Sequence, residues 1–388
     1  MRVLVASTAG SGHFGPLVPV ARACVEAGHE VAVAAPASFA DEVTRAGFAH
    51  RPFADVPGEV IGPVMGRLPS LSLDEANRTV VAEIFGRLDA RAALPGVTAT
   101  LEEWRPDLVV REPGELGSLA AALARGVPHA VVAVGVAAMT ARMGALLPEP
   151  LAELDAVAGL APGSCEAAFH GAATFTSVPA VLDGVRAGTA PGRTPQRYRE
   201  PADPGAGRLP EPWGDPEDPL IYVTFGSVAA AIPHFAGIYP AVLAALADQP
   251  VRVLLTTGHG ATADSLSAPP NTCVRPWWPQ ADVLPHAAAV VGHGGFGTTM
   301  AAFAAGVPQV VLPLFAMDQF INAEHVAALG AGLALPGPDA LPDLPAAVRR
   351  VLGDDRYRSA ARAVADEMAA LPPVSSMVPL LAEVAGRT

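Results

Sequence analysis

Short apolar runs alternate along the chain with longer segments of helical periodicity. The runs are rich in Val, Leu and Ala without an alternating polar face, which is typical of strands buried on both faces of a parallel sheet. Predicted strands cover residues 3–7, 31–35, 108–110, 130–134, 221–225, 253–256, 289–291 and 309–312. Predicted helices include residues 17–27, 116–124, 241–247 and 298–305. This alternation predicts an α/β fold built from βαβ units.

Residues 186–219 interrupt the pattern, because Pro, Gly and Arg crowd there with almost no apolar periodicity. We therefore expect two Rossmann-like domains, over residues 1–195 and 220–370, joined by a linker at 196–219. A C-terminal tail, residues 371–388, is expected to pack back on the N-terminal domain. The parallel sheets are expected to face a central cleft, since ligands bind beyond the carboxyl ends of such strands. Residues 55–72, punctuated by Gly and Pro, are predicted to form a mobile loop.

Composition and charge exclude several classes of protein. The 388 residues carry a formal net charge of −13, which disfavours binding to nucleic acids or to anionic membranes. All 25 basic residues are Arg, so no lysine is present for Schiff-base chemistry, pyridoxal-phosphate anchoring or a Walker-type phosphate site. The three cysteines are widely separated, and the longest apolar run, near residues 130–139, is shorter than the ~20 residues of a membrane span. A cytoplasmic protein without membrane contact is expected.

Two glycine-rich turns follow predicted strands. Residues 10–15 and 292–297 both satisfy GxGxxG, and each predicts a helix N-terminus that receives the negative charge of a phosphate. An NAD-dependent oxidoreductase stays open as an alternative. An acidic residue should then follow at about 20 residues, and residues 34–36 after the first copy hold none, whereas Asp318 lies near that distance from the second.

Further motifs surround the second turn. Trp277-Trp278-Pro279-Gln280 precedes it, and Gly306-Val307-Pro308-Gln309 and Asp318-Gln319 follow it. An indole offers a flat surface to a nucleobase, the glycines let backbone N–H groups approach a diphosphate, and Asp318 and Gln319 suit sugar hydroxyls. Together the motifs WxPQ…HGGxGT…GVPQ…DQ resemble the donor-binding signature of family 1 glycosyltransferases, which have the GT-B fold. The resemblance is closest to bacterial enzymes that decorate polyketide antibiotics, and Gly10, Gly12, His13 and Pro16 match their N-terminal pattern.

This resemblance implies a role for each motif residue. Trp277 would stack on the base, with Trp278 and Gln280 beside the base and ribose, and Asp318 and Gln319 would bind the sugar. The diphosphate would be held by Gly226, Ser227, His293, Gly295, Phe296, Gly297 and Thr298. Two positions depart from the family pattern: Gly292 stands where bacterial members often have His, and Ala301 stands where plant relatives bind the ribose hydroxyls with an acidic residue. Because no carboxylate is available for a 2′-hydroxyl, we expect a dTDP-sugar donor, with a UDP-sugar as the alternative.

The same resemblance implies that His13 is the general base and that Glu112 is its acidic partner. His13 follows the first strand, where a helix N-terminus is expected to keep the ring neutral, and Glu112 ends the strand at 108–110. His13 would deprotonate an acceptor hydroxyl in an inverting transfer that needs neither a metal nor a cofactor. A solvated Glu112 paired with Arg111 is the alternative. A small hydrophobic, polyketide-type acceptor would contact Met65, Phe85 and Met139, unless these side chains only pack in the core. A homodimer stays open.

Overall fold

The computed structural model describes residues 1–184, 194–201, 205, 207–226, 229–235, 237–258 and 263–386. The strands of this described part are β1 Arg2–Ala6, β2 Glu30–Pro36, β3 Ala49–Phe53, β4 Leu108–Arg111, β5 His129–Val132, β6 Ala173–Thr176, β7 Gln196–Arg197, β8 Leu220–Thr224, β9 Arg252–Thr256, β10 Thr272–Arg275, β11 Ala287–Gly292, β12 Gln309–Val311 and β13 Gly332–Ala334.

The α-helices are α1 Ser11–Phe14, α2 Leu17–Glu26, α3 Ala40–Arg45, α4 Gly58–Arg67, α5 Leu73–Arg78, α6 Ala90–Trp104, α7 Gly117–Arg125, α8 Ala137–Gly144, α9 Pro148–Ala158, α10 Ser164–Gly171, α11 Ala180–Gly184, α12 Ile238–Leu246, α13 Gln280–Val283, α14 Phe296–Ala304, α15 Met317–Ala328, α16 Leu344–Gly353, α17 Asp355–Ala370 and α18 Met377–Val384. Thr79–Asp89 is a π-helix. Short 3₁₀ segments cover Ala37–Phe39, Leu68–Ser70, Ala229–Ala231, Pro233–Phe235, Ala263–Ser265, Leu284–His286, Pro338–Asp343 and Val374–Ser376. No helix among the described residues is long and apolar enough to cross a membrane.

The first compact unit comprises Met1–Val178, Arg186–Pro201 and Leu371–Thr388. Its seven parallel strands lie in the order β3-β2-β1-β4-β5-β6-β7. The side chains of β1 alternate between two apolar cores, one on each face of the sheet, which is why its sequence is apolar at successive positions. Helices α6, α7, α9 and α10 cover one face, and α2, α3 and α18 cover the other.

The second unit comprises Pro179–Val185 and Ala202–Ala370. Its six parallel strands lie in the order β10-β9-β8-β11-β12-β13. Ile221 and Val223 of β8 pack with α12 and α16 on one face, and Leu220 and Tyr222 pack with α13 and α14 on the other. Each unit is a parallel sheet between helices, which confirms the predicted α/β class with two such sheets.

Each sheet has one point where the strand order reverses. In the first unit β1 lies between β2 and β4, and in the second unit β8 lies between β9 and β11. The loops that follow the two strands at such a point run in opposite directions, which opens a crevice at the carboxyl ends of the strands. The predicted site residues follow these strands: His13 comes after β1, Glu112 after β4, Gly226 after β8 and His293 after β11.

The structure corrects the sequence prediction in two respects. Residues 55–72 contain helix α4 and the 3₁₀ segment Leu68–Ser70 rather than a loop throughout, because Pro63 is accommodated inside α4. The prediction also missed β3, β6, β7, β10 and β13. Strands β6, β7, β10 and β13 have only two to four residues, and β3 (Ala-His-Arg-Pro-Phe) contains partly buried His and Arg side chains, so it lacks the continuous apolar run of a central strand.

The predicted linker, residues 196–219, is divided between the two units. Its first residues form β7 at the edge of the first sheet, where the Arg199 N–H donates to the Pro372 carbonyl at 2.7 Å. The residues from Ala202 onwards belong to the second unit. Residues Leu371–Thr388 belong to the first unit, where Met377 and Leu381 of α18 pack in the core with Val20 of α2.

Candidate active site

A histidine–carboxylate pair lies at the strand reversal of the first unit. The Nδ1 atom of His13 lies 3.2 Å from Oε2 of Glu112. Ala6 pairs with Arg111 in the register of β1 and β4, so the turns that carry the two side chains leave the sheet at the same level. The His13 side chain is 28% exposed, whereas Glu112 is fully buried. The carboxylate therefore orients the imidazole from the protein interior.

Glu112 is held by several hydrogen bonds besides the contact to His13. Oε1 accepts from the Thr8 hydroxyl at 3.1 Å and from the Thr8 N–H at 3.3 Å, and Oε2 accepts from the Gly114 N–H. Burial by itself would raise the pKa of Glu112, but the His13 contact and these backbone donors lower it below its usual value. The side chain is therefore an ionised carboxylate. The alternative pairing is not observed, because Arg111 donates to the Glu112 backbone carbonyl at 3.2 Å.

The helix that carries His13 is shorter than the sequence suggested. Helix α1 has four residues, and His13 lies in its only turn. Because so short a helix has little macrodipole, the structure gives little support to the reason for expecting a neutral ring, and the neutrality of His13 stays a prediction. The Glu112 carboxylate is the charged group in contact with the imidazole.

A cavity of about 210 Å³ lies beside this pair within the first unit. Its walls come from the ends of β1, β2 and β3, from α4 and from the π-helix, and Phe53, Ile61 and Phe85 make much of it apolar. The Phe85 ring also meets the His13 ring edge-to-face, with centroids 5.2 Å apart. Of the residues predicted to contact an acceptor, Phe85 lines the cavity. Met65 is 51% exposed on α4 and Met139 is half-buried on α8, and neither lines it.

His293 lies at the strand reversal of the second unit, between two glycines. A Cβ atom at Gly295 would lie 2.5 Å from His293 Nε2, and one at Gly226 would lie 2.9 Å from its Cε1. The backbone thus approaches the ring at both positions closely enough to exclude any side chain. Burial lowers the pKa of His293 to about 4, against the effect of a hydrogen bond to the Thr224 backbone. The ring is therefore neutral at neutral pH.

The N-terminus of α14 follows directly. Gly295 is the N-cap and provides no side-chain acceptor, and no acidic residue occupies the first turn. Within the described part of the chain, no N-cap side chain accepts from the backbone N–H groups of this first turn, at Phe296, Gly297 and Thr298, an arrangement that suits an anion. The Thr298 hydroxyl accepts a hydrogen bond from Gln280 Nε2 at 2.9 Å, which joins the WxPQ motif to this helix.

The two adjacent tryptophans have different surroundings. Trp277 is 58% exposed, whereas Trp278 is partly buried and packs against the apolar core that contains Leu220 and Tyr222. The Trp278 indole N–H donates to the Arg208 carbonyl at 2.9 Å. Trp278 is thus engaged inside the protein, and Trp277 presents a free aromatic surface.

Asp318 and Gln319 begin α15, the helix after β12. Asp318 is half-buried, and Gln319 is only 3% exposed. Gln319 Oε1 accepts from the N–H groups of Leu314 and Phe315 at 2.8 and 3.0 Å, so that oxygen fixes the preceding loop. Ser227 lies outside the described residues.

Comparisons with known proteins identify the family of the chain. Residues 22–150 and 240–384 match family models described as the N-terminal and C-terminal domains of erythromycin biosynthesis protein CIII-like proteins. The chain is 36% identical over 384 residues to L-demethylnoviosyl transferase of Streptomyces niveus, covering 96% of this chain and 95% of that protein. It is 30% identical over 429 residues to TDP-daunosamine transferase DnrS of Streptomyces peucetius, covering 100% and 97%. The crystal structure of the glycosyltransferase SnogD from Streptomyces nogalater superposes with a TM-score of 0.77 at 27% identity, covering 100% of this chain and 99% of that one.

The chain belongs to the erythromycin CIII-like family of natural-product glycosyltransferases. This transferase has the GT-B fold and uses a nucleotide sugar, as the motifs around His293 indicated. An NAD-dependent oxidoreductase, the alternative raised by the GxGxxG turns, is therefore wrong. The described residues of the transferase contain no group of three or more His, Cys, Asp or Glu side chains that could hold a metal ion.

Sequence reasoning missed a polar cluster beneath the transferase's histidine–carboxylate pair. Arg111 is fully buried, and its guanidinium lies over the Phe169 ring at 5.8 Å. Burial lowers the pKa of Arg111 to about 10, although Glu115 and Glu112 oppose this effect. Burial also raises the pKa of Glu115 to about 7, and its carboxylate accepts from the Ser118 N–H at 2.8 Å. In the sequence, Arg111 and Glu115 look like ordinary strand-end residues, so no local signal identified them.

Proposed function

We propose that the protein transfers a deoxysugar from a dTDP-sugar to a hydroxyl group of a hydrophobic, polyketide-type natural product, with inversion at the anomeric carbon. The observation that carries this proposal is the 3.2 Å contact between His13 Nδ1 and the buried, ionised Glu112. A carboxylate on Nδ1 fixes the tautomer that carries its proton there, and the lone pair is then on Nε2.

In the proposed reaction, Nε2 of His13 removes the proton of the acceptor hydroxyl. The oxygen attacks the anomeric carbon, and the bond from that carbon to the diphosphate oxygen breaks with its electron pair on the leaving dTDP. Glu112 balances the positive charge that His13 gains during this step. The apolar cavity beside His13, with Phe85 in its wall, supports a hydrophobic acceptor.

On the donor side, the uncapped N–H groups of Phe296, Gly297 and Thr298 would bind the diphosphate and stabilise the charge that develops on it. A neutral His293 adds one donor without a cationic charge. The exposed Trp277 indole would stack on the base, and Gln280 would lie beside the ribose while it holds the Thr298 hydroxyl. Asp318 would bind the sugar through its carboxylate, whereas Trp278 packs inside the protein.

The choice of dTDP over UDP rests on Ala301 in α14. At this position plant relatives carry an acidic residue that binds the ribose hydroxyls, whereas a methyl group offers the 2′-hydroxyl of UDP no partner. DnrS, named as a TDP-daunosamine transferase, supports the same donor class. The alternative donor is a UDP-sugar.

The test measures dTDP and UDP affinity by titration calorimetry in the wild type and in Ala301→Glu. We expect the wild type to bind dTDP about tenfold more tightly than UDP, a difference of about 1.4 kcal/mol. Ala301→Glu should reduce or reverse this preference, while Ala304→Glu, at an exposed position of the same helix, should leave it unchanged. Equal or tighter binding of UDP by the wild type would overturn the proposed donor.

A further inference from the structure

Asp89 places a carboxylate in the wall of the cavity beside His13. The reaction proposed above gives this carboxylate no role. Asp89 lies at the end of the π-helix Thr79–Asp89, four residues after Phe85, and both side chains line the cavity. Four residues come close to one turn of a π-helix, so Phe85 and Asp89 share one face. The helix thus presents an aromatic ring and a carboxyl group side by side next to the proposed base. π-Helical turns are rare and frequent at functional sites.

The carboxyl group of Asp89 has no hydrogen-bond or ion-pair partner within the described part of the chain. The side chain is nevertheless half-buried. By contrast, Asp55, another carboxylate of the cavity wall, accepts from the Ser38 N–H at 3.0 Å. Burying an unpaired carboxyl group, even partly, costs free energy unless a ligand donates a hydrogen bond to it.

The charge of Asp89 is coupled to the catalytic pair. Burial and the negative charge of Glu112 together raise the pKa of Asp89 to about 6, against the opposing effect of His13. Asp89 is therefore close enough to His13 and Glu112 to sense their charges, and it is ionised above about pH 6. No basic side chain lines the cavity in the described part of the chain.

We propose that Asp89 determines acceptor specificity by accepting a hydrogen bond from a second donor group, a hydroxyl or N–H, that neighbours the acceptor hydroxyl facing His13. The inference deepens the proposed function and depends on the cavity being the acceptor site. The aromatic wall at Phe53 and Phe85 takes a flat or apolar ring, and the carboxylate selects rings that carry adjacent donors. Acceptors with a methyl ether or a carboxylate at that position are disfavoured, because they offer no hydrogen or a like charge.

The experiment compares three matched probes by titration calorimetry at about pH 8: 2-naphthol, 2,3-dihydroxynaphthalene and 3-methoxy-2-naphthol. We expect the wild type to bind the diol about 10- to 100-fold more tightly than the other two, the range for a hydrogen bond to a charged acceptor. Asp89→Ala should bind all three with similar affinity, and Asp89→Asn, which keeps an uncharged acceptor, should lie between. Equal binding of the three probes by the wild type, or no binding of any, would overturn the inference without any variant.

A matched control separates this effect from a general change in the π-helix. Glu83 lies on the same helix, pairs with Arg67 and is absent from the cavity wall. Glu83→Gln should keep the wild-type preference for the diol, and a preference lost equally in Glu83→Gln and Asp89→Ala would contradict a specific role of Asp89.

Transfer assays distinguish a failure of the role of Asp89 from a failure of the proposed function. If the protein transfers a sugar from a dTDP-sugar but Asp89→Ala leaves the ratio of kcat/KM for the diol and its methyl ether unchanged, the role of Asp89 is wrong and the proposed function stands. If Asp89 governs probe binding but no dTDP-sugar supports transfer, the cavity assignment stands and the proposed donor fails.

Discussion

His13 Nδ1 and Glu112 Oε2 lie 3.2 Å apart, and the two residues follow the two strands between which the order of the first sheet reverses. The contact therefore follows from the topology, because β1 and β4 are neighbours whose carboxyl ends meet at the same edge. Glu112 is held by Thr8 and Gly114 as well, so the carboxylate is fixed before any ligand binds. Such fixed orientation is what a histidine base requires of its partner.

Glu112→Gln should lower kcat by about 100-fold or more, because the amide can neither fix the same tautomer nor balance the charge of a protonated His13. His13→Ala should lower kcat at least as far. In both variants the affinity for dTDP should stay within about twofold of the wild type, since neither residue lies in the second unit. Single-turnover transfer and calorimetry measure the two quantities.

The control for these variants is Glu102→Gln, which alters an exposed carboxylate paired with Arg125 in the same unit. Its kcat should equal that of the wild type. An unchanged kcat in His13→Ala would refute the assignment of the base, and a fall in dTDP affinity that accounts for the whole loss would show a role in binding instead.

The sequence predicted the central strands, which lead to the site, better than the strands at the edges of the two sheets. The strands β1, β4, β8 and β11 are central and buried on both faces, so each appears as a continuous apolar run followed by a turn. The two glycine-rich turns, Glu112 and Gly226 follow these runs directly, so they can be placed without coordinates. Strands at or near the sheet edges, such as β3 and β13, are short or partly polar and lack this signal.

The remaining site residues depend on tertiary contacts that no local pattern encodes. Asp89 belongs to an amphipathic helix, and only the fold shows that this end of the helix borders the cavity at His13. Asn322 donates to the Gly294 carbonyl at 2.7 Å across 28 residues of sequence and thereby braces the glycine-rich turn before α14. The motif implied a sugar contact for Gln319, and the structure shows that its side-chain oxygen accepts from the backbone of residues 314 and 315, which no local pattern indicated; the sugar contact stays a prediction.

Gly295→Ala should weaken dTDP binding about tenfold or more. The new Cβ would lie 2.5 Å from His293 Nε2, so either the ring or the turn at the start of α14 must move, and the N–H groups proposed to bind the diphosphate move with it. Calorimetry measures the effect, and circular dichroism checks that the variant folds. Gly353→Ala, at the end of α16 with no atom within 4 Å of its Cβ, is the matched control and should bind dTDP normally. Wild-type affinity in Gly295→Ala would mean that this turn does not contact the nucleotide.

Glu115→Gln should change how stability depends on pH. Burial raises the pKa of Glu115 from 4.5 to about 7, so the folded protein retains a proton that the unfolded chain releases. The free energy of unfolding therefore falls as pH rises from 4.5 through 7, by at most about 3 kcal/mol from this group. Gln has no proton to lose and still offers an oxygen to the Ser118 N–H.

The variant should thus gain stability relative to the wild type between about pH 5 and pH 8. Urea unfolding at several pH values measures the free energies of unfolding of the variant and the wild type. In their difference, the contributions of other titrating groups such as Asp89 and His129 cancel, because both proteins contain them. Glu102→Gln should show a constant difference over the same range. If the difference in unfolding free energy between Glu115→Gln and the wild type does not grow with pH, Glu115 is already ionised in the folded protein at low pH.

The two adjacent tryptophans should separate affinity from stability. Trp277 is 58% exposed, so Trp277→Ala removes little packing and should change the free energy of unfolding by no more than about 0.5 kcal/mol. It should nevertheless weaken dTDP binding about tenfold, because stacking on a base contributes about 1–3 kcal/mol. Trp278→Ala removes packing against the apolar core at Leu220 and Tyr222 and the hydrogen bond to Arg208, and it should destabilise the protein by about 2 kcal/mol. Below its lowered unfolding temperature its affinity for dTDP should be close to normal. The opposite outcome, in which Trp278→Ala loses affinity and Trp277→Ala does not, would move the base to the second indole and require the segment at Arg208 to open when the nucleotide binds.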